Sequence, residues 1–310
     1  MKRFLLLFLI VFPWLVSYSQ QVAQYNLYHF NLDLINPGAT GYLPCKQFNI
    51  TDRHQWTGIE GAPSIQSLSI QLPRQYHKYR KYALGLNLVR DVNGATQNLG
   101  GELLYAFHIT MGNIVPKHLG FGLAGKFGQY SFDEREFTDG IYDPIIGRSI
   151  NTEWYFNVSA GVFFYSEKYY AGIAVYNLVP RNTNYYRDYG NEPYFLTCTG
   201  GYHFNSPRKN FRLTTSLYFA GGTNFYQADI NNFFYLENGL WTGITFRKYI
   251  GDFYRAGQNT LLFLGYITGS WNFAYTYDLG INGLQRNHFG SHQLSVSYTL
   301  CRKKYACPAY

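Results

Sequence analysis

Arg53, Gln55, Trp56 and Glu60 stand close together in the run Arg53-His54-Gln55-Trp56-Thr57-Gly58-Ile59-Glu60-Gly61-Ala62-Pro63. An arginine presents a planar fork of donors that grips a carboxylate bidentately. Set beside a Gln, a Trp and a Glu, it is a candidate grip for a partner peptide or a plug; the competing reading is an internal ion-pair network that fixes an N-terminal segment. Asp278 and His292 are further candidates for the same role, with Arg212 or His292 as the counter-charge of Asp278. His203 and His292 are read as inward-facing groups and are the candidate bases for an enzyme, because a hydroxyl nucleophile needs a neighbouring base. The chain has neither a Gly-x-Ser-x-Gly nor a His-Glu-x-x-His run, so no catalytic residue is assigned. Asp133, Glu134, Glu136, Asp139 and Asp143 supply oxygen ligands of the kind calcium takes. Their spacing fits no EF-hand and Arg135 interrupts them, so they read as a solvated loop, with no metal and no cofactor expected.

The elements that must position these groups are strands. In Trp271-Asn272-Phe273-Ala274-Tyr275-Thr276-Tyr277-Asp278-Leu279 every odd position is large and apolar or aromatic, and every even one small or polar. A strand sends successive side chains to opposite faces, so this is one greasy and one polar face. The rhythm recurs around Leu99–Ile109, Leu119–Phe127, Phe156–Phe164, Tyr194–Tyr202, Phe211–Phe219 and Leu294–Leu300. A secreted β-sandwich would also alternate. It explains less well why the greasy faces are so uniformly Leu, Phe, Tyr and Trp, with so few charges.

The bulk numbers favour a membrane wall. Aromatics make up 20% of the 310 residues, with 31 Tyr and 25 Phe, while charged residues are 14%, against roughly 25% in ordinary soluble domains. Lys2 and Arg3, the apolar stretch from Phe4 to Val16, and Ser17-Tyr18-Ser19 form a secretory signal peptide over residues 1–19. No other stretch approaches the roughly 18 apolar residues of a membrane helix. If the mature chain enters a membrane it must therefore do so as strands closed into a barrel, since an open edge in lipid leaves backbone groups unpaired. Dividing the mature chain by about 20 residues per strand and connection gives about 14 strands. The formal charge is +8. In an exported chain this suits basic turns beside anionic lipid head groups better than nucleic acid.

The expected organisation is an N-terminal segment over residues 20–44, an all-β antiparallel transmembrane barrel over 45–301, and a tail over 302–310. The Asn36-Pro37-Gly38 turn and a helical stretch over Leu27 to Leu32 would pack in or under the barrel. Of four cysteines, Cys45 opens the first strand and Cys301 closes the last. Those strands are neighbours in a closed barrel, which allows a Cys45–Cys301 or a Cys45–Cys307 clasp; sequence does not choose between them.

These residues resemble the PorP/SprF family of outer-membrane proteins, linked to the type IX secretion system and gliding motility of Bacteroidetes. The resemblance rests on Gln24-Tyr25, Asn36-Pro37 and Gly41, on the Arg53-to-Pro63 run, on Asp91 with Gly94, on Tyr275-x-Tyr277-Asp278, and on Ser291-His292. Gly38 stands where Ala is expected and Gln293 where Glu is expected. The resemblance implies an outer-membrane barrel that serves as a scaffold or anchor. Its implied partners are outer-membrane lipids and periplasmic lipoprotein or peptidoglycan-binding secretion components, or an exported adhesin. A channel for small solutes is the alternative, and inward aromatics such as Tyr155, Phe163 and Tyr165 argue mildly against a wide pore.

Overall fold

A computed structural model describes residues 26–77, 79–112, 116–133, 150–179, 194–206, 211–222, 226–250, 258–281 and 289–301. Three single 3-10 turns, Tyr28–Phe30, Leu32–Leu34 and Pro37–Ala39, precede fourteen strands. The strands are β1 (Lys46–His54), β2 (Ser64–His77), β3 (Arg80–Asn93), β4 (Thr96–Met111), β5 (Lys117–Asp133), β6 (Ile150–Tyr165) and β7 (Tyr169–Tyr176). They continue as β8 (Phe195–Ser206), β9 (Phe211–Gly221), β10 (Tyr226–Leu236), β11 (Leu240–Ile250), β12 (Gln258–Thr268), β13 (Trp271–Ile281) and β14 (Ser291–Leu300). Each pairs antiparallel with its sequence neighbours, and β1 pairs with β14, so the sheet closes into a barrel. The fold class is the one expected.

The distribution of polarity decides between barrel and sandwich. On β13, Asn272, Ala274, Thr276 and Asp278 are buried while Trp271, Phe273 and Tyr275 are exposed. The same holds around the wall, with Leu103, Leu123 and Leu294 exposed by 60% or more. A sandwich buries its apolar faces against each other. Here the apolar faces point out and the polar ones in, which suits hydrocarbon outside. No helix among the described residues is long and apolar enough to cross a membrane.

The two ends differ. At the end that carries Cys45 and Cys301, the strands are joined by residues 78–79, 112–116, 166–168, 207–210, 237–239 and 269–270. At the far end the connections include residues 55–63, 134–149, 177–194, 251–257 and 282–290. Short turns on the side of the termini and long loops opposite is the outer-membrane arrangement, with the termini on the periplasmic side.

Cys45 and Cys301 are joined by a disulfide across the β1–β14 seam, and Cys198 is a free thiol. Cys307 and the rest of the tail lie outside the described residues. The bridge spans 256 residues of sequence, and long closed loops gain the most from a cross-link. Replacing both cysteines by Ala should cost about 2–4 kcal/mol. It should lower the temperature at which the folded band converts to the unfolded one in unheated gels, and reductant should do the same to the native chain.

Three expectations need correction. The stretch over Leu27 to Leu32 is not one helix, because it divides at Asn31 into two 3-10 turns. A third turn is set by Pro37 and by the Asn36 side chain, which accepts from Gly38 N at 2.8 Å. Asp133, read as part of the solvated acidic loop, is instead the last residue of β5, and β6 starts at Ile150. Most of the acidic run falls in 134–149, outside the described residues. His292 does not face inward. The two-residue period that turns Gln293 in turns His292 out beside Leu294.

Candidate functional site

The lumen is the site, and it is filled by the protein's own N-terminal segment. Asn26 to Thr40 are buried apart from the half-buried His29 and Asp33-flanking Leu34, and nothing in the wall's alternation leaves the segment free. Four sets of inward side chains hold it.

The first set is ionic. On the antiparallel pair β10 and β11, Asp229 lies opposite Arg247. Both side chains are fully buried, and the guanidinium forks onto the carboxylate with Nε–Oδ1 at 2.9 Å and Nη2–Oδ2 at 2.8 Å. Both then reach the segment. Arg247 Nη1 donates to Asn26 Oδ1 at 2.7 Å, and Tyr28 Oη donates to Asp229 Oδ2 at 3.0 Å. Asn231 donates to the Tyr28 oxygen, and Thr245 donates to Asn231. A buried pair of this kind repays its desolvation only when further hydrogen bonds complete it.

The second set is neutral and sits on β1 and β2. Asn49, Ser69 and Gln71 each turn a donor toward Asn31 Oδ1, at 2.9–3.2 Å. Gln71 Oε1 also accepts from Gly41 N at 2.8 Å. Ser69 Oγ lies 3.3 Å from Asp33 Oδ2. Burial pushes the Asp33 carboxyl up to about 7, with the Glu102 charge adding to the effect and the Ser69 hydrogen bond opposing it. An acid with a raised folded pKa takes up a proton on folding, so its stabilisation is full below its unfolded value and is lost as pH rises to the folded one. The segment should therefore seat less firmly as pH climbs from about 4 to about 7, and Asp33→Asn should remove that slope. Protease protection of residues 26–42 measured across this range checks it.

The third set is aromatic. Tyr28, Leu32, Ile35 and Ala39 pack against Phe163, Tyr165, Tyr218 and Ala220. Leu27 and Phe30 pack against Phe233, Trp241, Leu261 and Phe263. Trp241 is fully buried and donates from Nε1 to Asn272 Oδ1 at 2.9 Å.

The fourth set is made of absent side chains. The turn Pro37–Ala39 rests on inward glycines of β5, β6 and β7. A Cβ at Gly122 would lie 2.2 Å from the Pro37 carbonyl, one at Gly120 2.4 Å from Gly38 O, and one at Gly161 2.2 Å from Asn36 Oδ1. Asn36 Nδ2 donates to Val162 O at 3.0 Å on the same patch. Further along, Thr197, His108 and Lys81 bond the carbonyls of Ile35, Thr40 and Tyr42.

The residues singled out from sequence lie elsewhere. Arg53 and Asp278 are both buried and form an ion pair, Nη2–Oδ2 at 3.5 Å. The counter-charge of Asp278 is thus Arg53, not Arg212 or His292. Gln55, Trp56 and Glu60 belong to the far-end loop 55–63, and Glu60 is exposed. That loop is tied through its backbone: Gln55 N to Pro63 O, Thr57 N to Gly290 O, Phe289 N to Thr57 O, and Gly94 N to Gly61 O, at 2.8–2.9 Å. Trp56 holds a φ of 45° there, with its N–H directed at Ser291 Oγ at 3.2 Å. His292 bonds the Tyr275 hydroxyl at 2.7 Å on the outer surface. His203 faces inward against Thr214 Oγ1 at 2.9 Å. Among the described residues no carboxylate bonds its other nitrogen, and no cluster of metal-ligating side chains is found.

Sequence reasoning did not single out Asp229, Arg247 or the glycine patch. Their signal was present as parity: Asp229 and Arg247 occupy inward positions of strands joined by the three residues 237–239, and Gly120 and Gly122 fall on the polar side of a strong strand pattern.

No curated protein sequence matches the chain significantly. Solved barrels resemble it in shape at low identity. A Pseudomonas aeruginosa FadL homologue is 9% identical, with 86% of this chain and 92% of that one covered and a TM-score of 0.49. The Acinetobacter baumannii outer-membrane protein Omp33 is 6% identical, with 83% and 99% covered and a TM-score of 0.44. The KdgM porin is 7% identical, with 82% and 99% covered and a TM-score of 0.38. A family model described as type IX secretion system membrane protein PorP/SprF matches residues 17–298. The chain belongs to that family of outer-membrane proteins.

Proposed function

We propose that this barrel works in type IX secretion as a plugged scaffold or anchor, binding periplasmic secretion components or an exported surface adhesin, rather than as a channel for small solutes. The observation that carries this reading is the occupied lumen. A solute pore needs a continuous wet path, whereas here a buried ion pair, a set of amides, two aromatic clusters and a glycine patch all close on one segment. Gliding motility and the choice between secretion component and adhesin belong to the same proposal. The far-end loop carrying Gln55, Trp56 and Glu60, backed by the Arg53–Asp278 pair, is the surface we assign to an exported partner. No catalytic role is assigned to His203 or His292.

The test is gentle extraction of the tagged chain from native outer membrane with identification of what accompanies it, and conductance of the purified barrel in planar bilayers. Recovery of type IX components or a large surface protein, with a silent bilayer, is expected. A barrel recovered alone that conducts steadily would overturn the reading in favour of the solute channel.

A further inference from the structure

The outer wall is not uniform around its circumference. Over β2 to β6 it carries a groove of about 640 Å³ lined by aliphatic side chains and Tyr105, among them Leu72, Leu84, Leu103 and Val158. A barrel wall is normally convex, and the dent has a cause. The outward position of β5 between Leu103 and Val158 in the strand register is Gly125. A Cβ built there would meet only the Phe156 ring, at 3.7 Å, so the missing side chain leaves open space.

The periplasmic edge of the same sector is basic. Lys46, Arg74, Arg80 and Lys117 are exposed at the ends of β1, β2, β3 and β5. They share the outward parity of Ile50, Leu72, Leu84 and Leu123. None of the four has an ion pair among the described residues. Among the described side chains around the rest of the edge, the last outward ones are Phe164, Tyr169, Phe204, Phe211, Leu236, Leu240, Thr268, Trp271 and Leu300 on β6 to β14. Lys168 is exposed in the turn after β6, but among the described strand ends the outward bases are those gathered under the groove. Arg74 is one outward position from Leu72, Arg80 two from Leu84 and Lys117 three from Leu123, or about 7, 13 and 20 Å along their strands. The register places Tyr82, Phe107 and Phe121 in one row with Arg74, between the groove and the bases Arg80 and Lys117.

We propose that this sector is a binding site for an anionic glycerophospholipid of the periplasmic leaflet, with the phosphate held by the neighbouring Arg74 and Arg80, Lys117 adding its charge along the same edge, and an acyl chain lying in the groove notched at Gly125. Three features fit one amphiphile in order: cations that pair with a phosphate, aromatic rings of the kind that sit at head-group level, and an apolar trough of ligand size. A second copy of the chain on this surface would set four like charges on one copy against the same four on the other, so the charge favours lipid.

The full chain would be reconstituted in nanodiscs of phosphatidylethanolamine and phosphatidylglycerol in equal amount, released, and weighed by native mass spectrometry. The wild type should retain phosphatidylglycerol preferentially. Arg74→Gln/Arg80→Gln/Lys117→Gln should cut that preference about tenfold or more, since each basic side chain near an anionic surface contributes roughly a factor of five. Gly125→Ile fills the notch from a backbone that accepts a β-branched residue, and should reduce retention of either lipid while the folded band stays intact. Lys248→Gln, an outward base at the far end of β11, should change nothing. Equal retention by the triple variant, indifference to head group in the wild type, or a lipid-free dimer whose formation Gly125→Ile abolishes would each overturn the proposal.

Discussion

Asp229→Ala should unseat the N-terminal segment. The carboxylate is the shared partner of Arg247 and Tyr28. Its loss leaves a fully buried guanidinium with Asn26 as its remaining contact to the segment. Removing one member of a buried pair costs about 3–5 kcal/mol, because the survivor is stranded away from water. That is comparable with the stability of many whole domains. The strain is relieved most cheaply by letting water into the lumen, so the expected readouts are protease cleavage between Asn26 and Tyr42 and a conductance above that of the native protein. Replacing both partners, as Asp229→Leu with Arg247→Met, removes the stranded charge. It should recover most of the barrel's thermal stability while leaving Tyr28 without its acceptor. The pair should thus behave non-additively in a double-mutant cycle. Additive losses would mean that the two groups hold the segment independently.

The latch was harder to read in the sequence than the wall, for a physical reason. Wall positions depend on one local rule, the two-residue period. That rule assigns Trp271, Phe273 and Tyr275 to lipid and Asn272 and Asp278 to the lumen without knowledge of any partner strand. It also makes His292 outward once Leu294 is outward, so the inward reading of that histidine conflicts with a pattern already visible. Pairings are different. Arg53 meets Asp278 only because closure brings β1 to β14 and β14 to β13. The same closure makes Cys45–Cys301 a natural clasp, but register, not parity, decides it over Cys307. The family motif around Trp56 drew attention to a rim loop, whereas the lumen is held by residues that form no motif. Asp229 and Arg247 are single charges on the polar side of two strands, unremarkable until the hairpin register sets them opposite each other.

The glycine patch leads to the larger structural effect. Gly122→Leu should expel the turn Pro37–Ala39 outright. A Cβ at this position would fall 2.2 Å from both Pro37 C and Pro37 O and 2.3 Å from Gly38 N. These are backbone atoms, which cannot swing away as the end of a side chain can. Filling a packed site usually costs about 1–3 kcal/mol, but that figure assumes neighbours able to shift by a few tenths of an ångström. Here the overlap exceeds an ångström, so the turn must leave. The strand itself should tolerate the change, because Leu suits a pleated surface better than Gly and Gly122 has no left-handed φ to preserve. The variant is thus expected to insert and run as a folded barrel, with residues 36–42 cleaved quickly and the lumen conducting. If it also loses its secretion partners, the seated segment forms or shapes the periplasmic docking surface. If it conducts yet keeps them, the partners read the wall and loops, and the plug serves only to seal. A variant that folds and keeps Pro37–Ala39 protected would show that the glycines are not the seat.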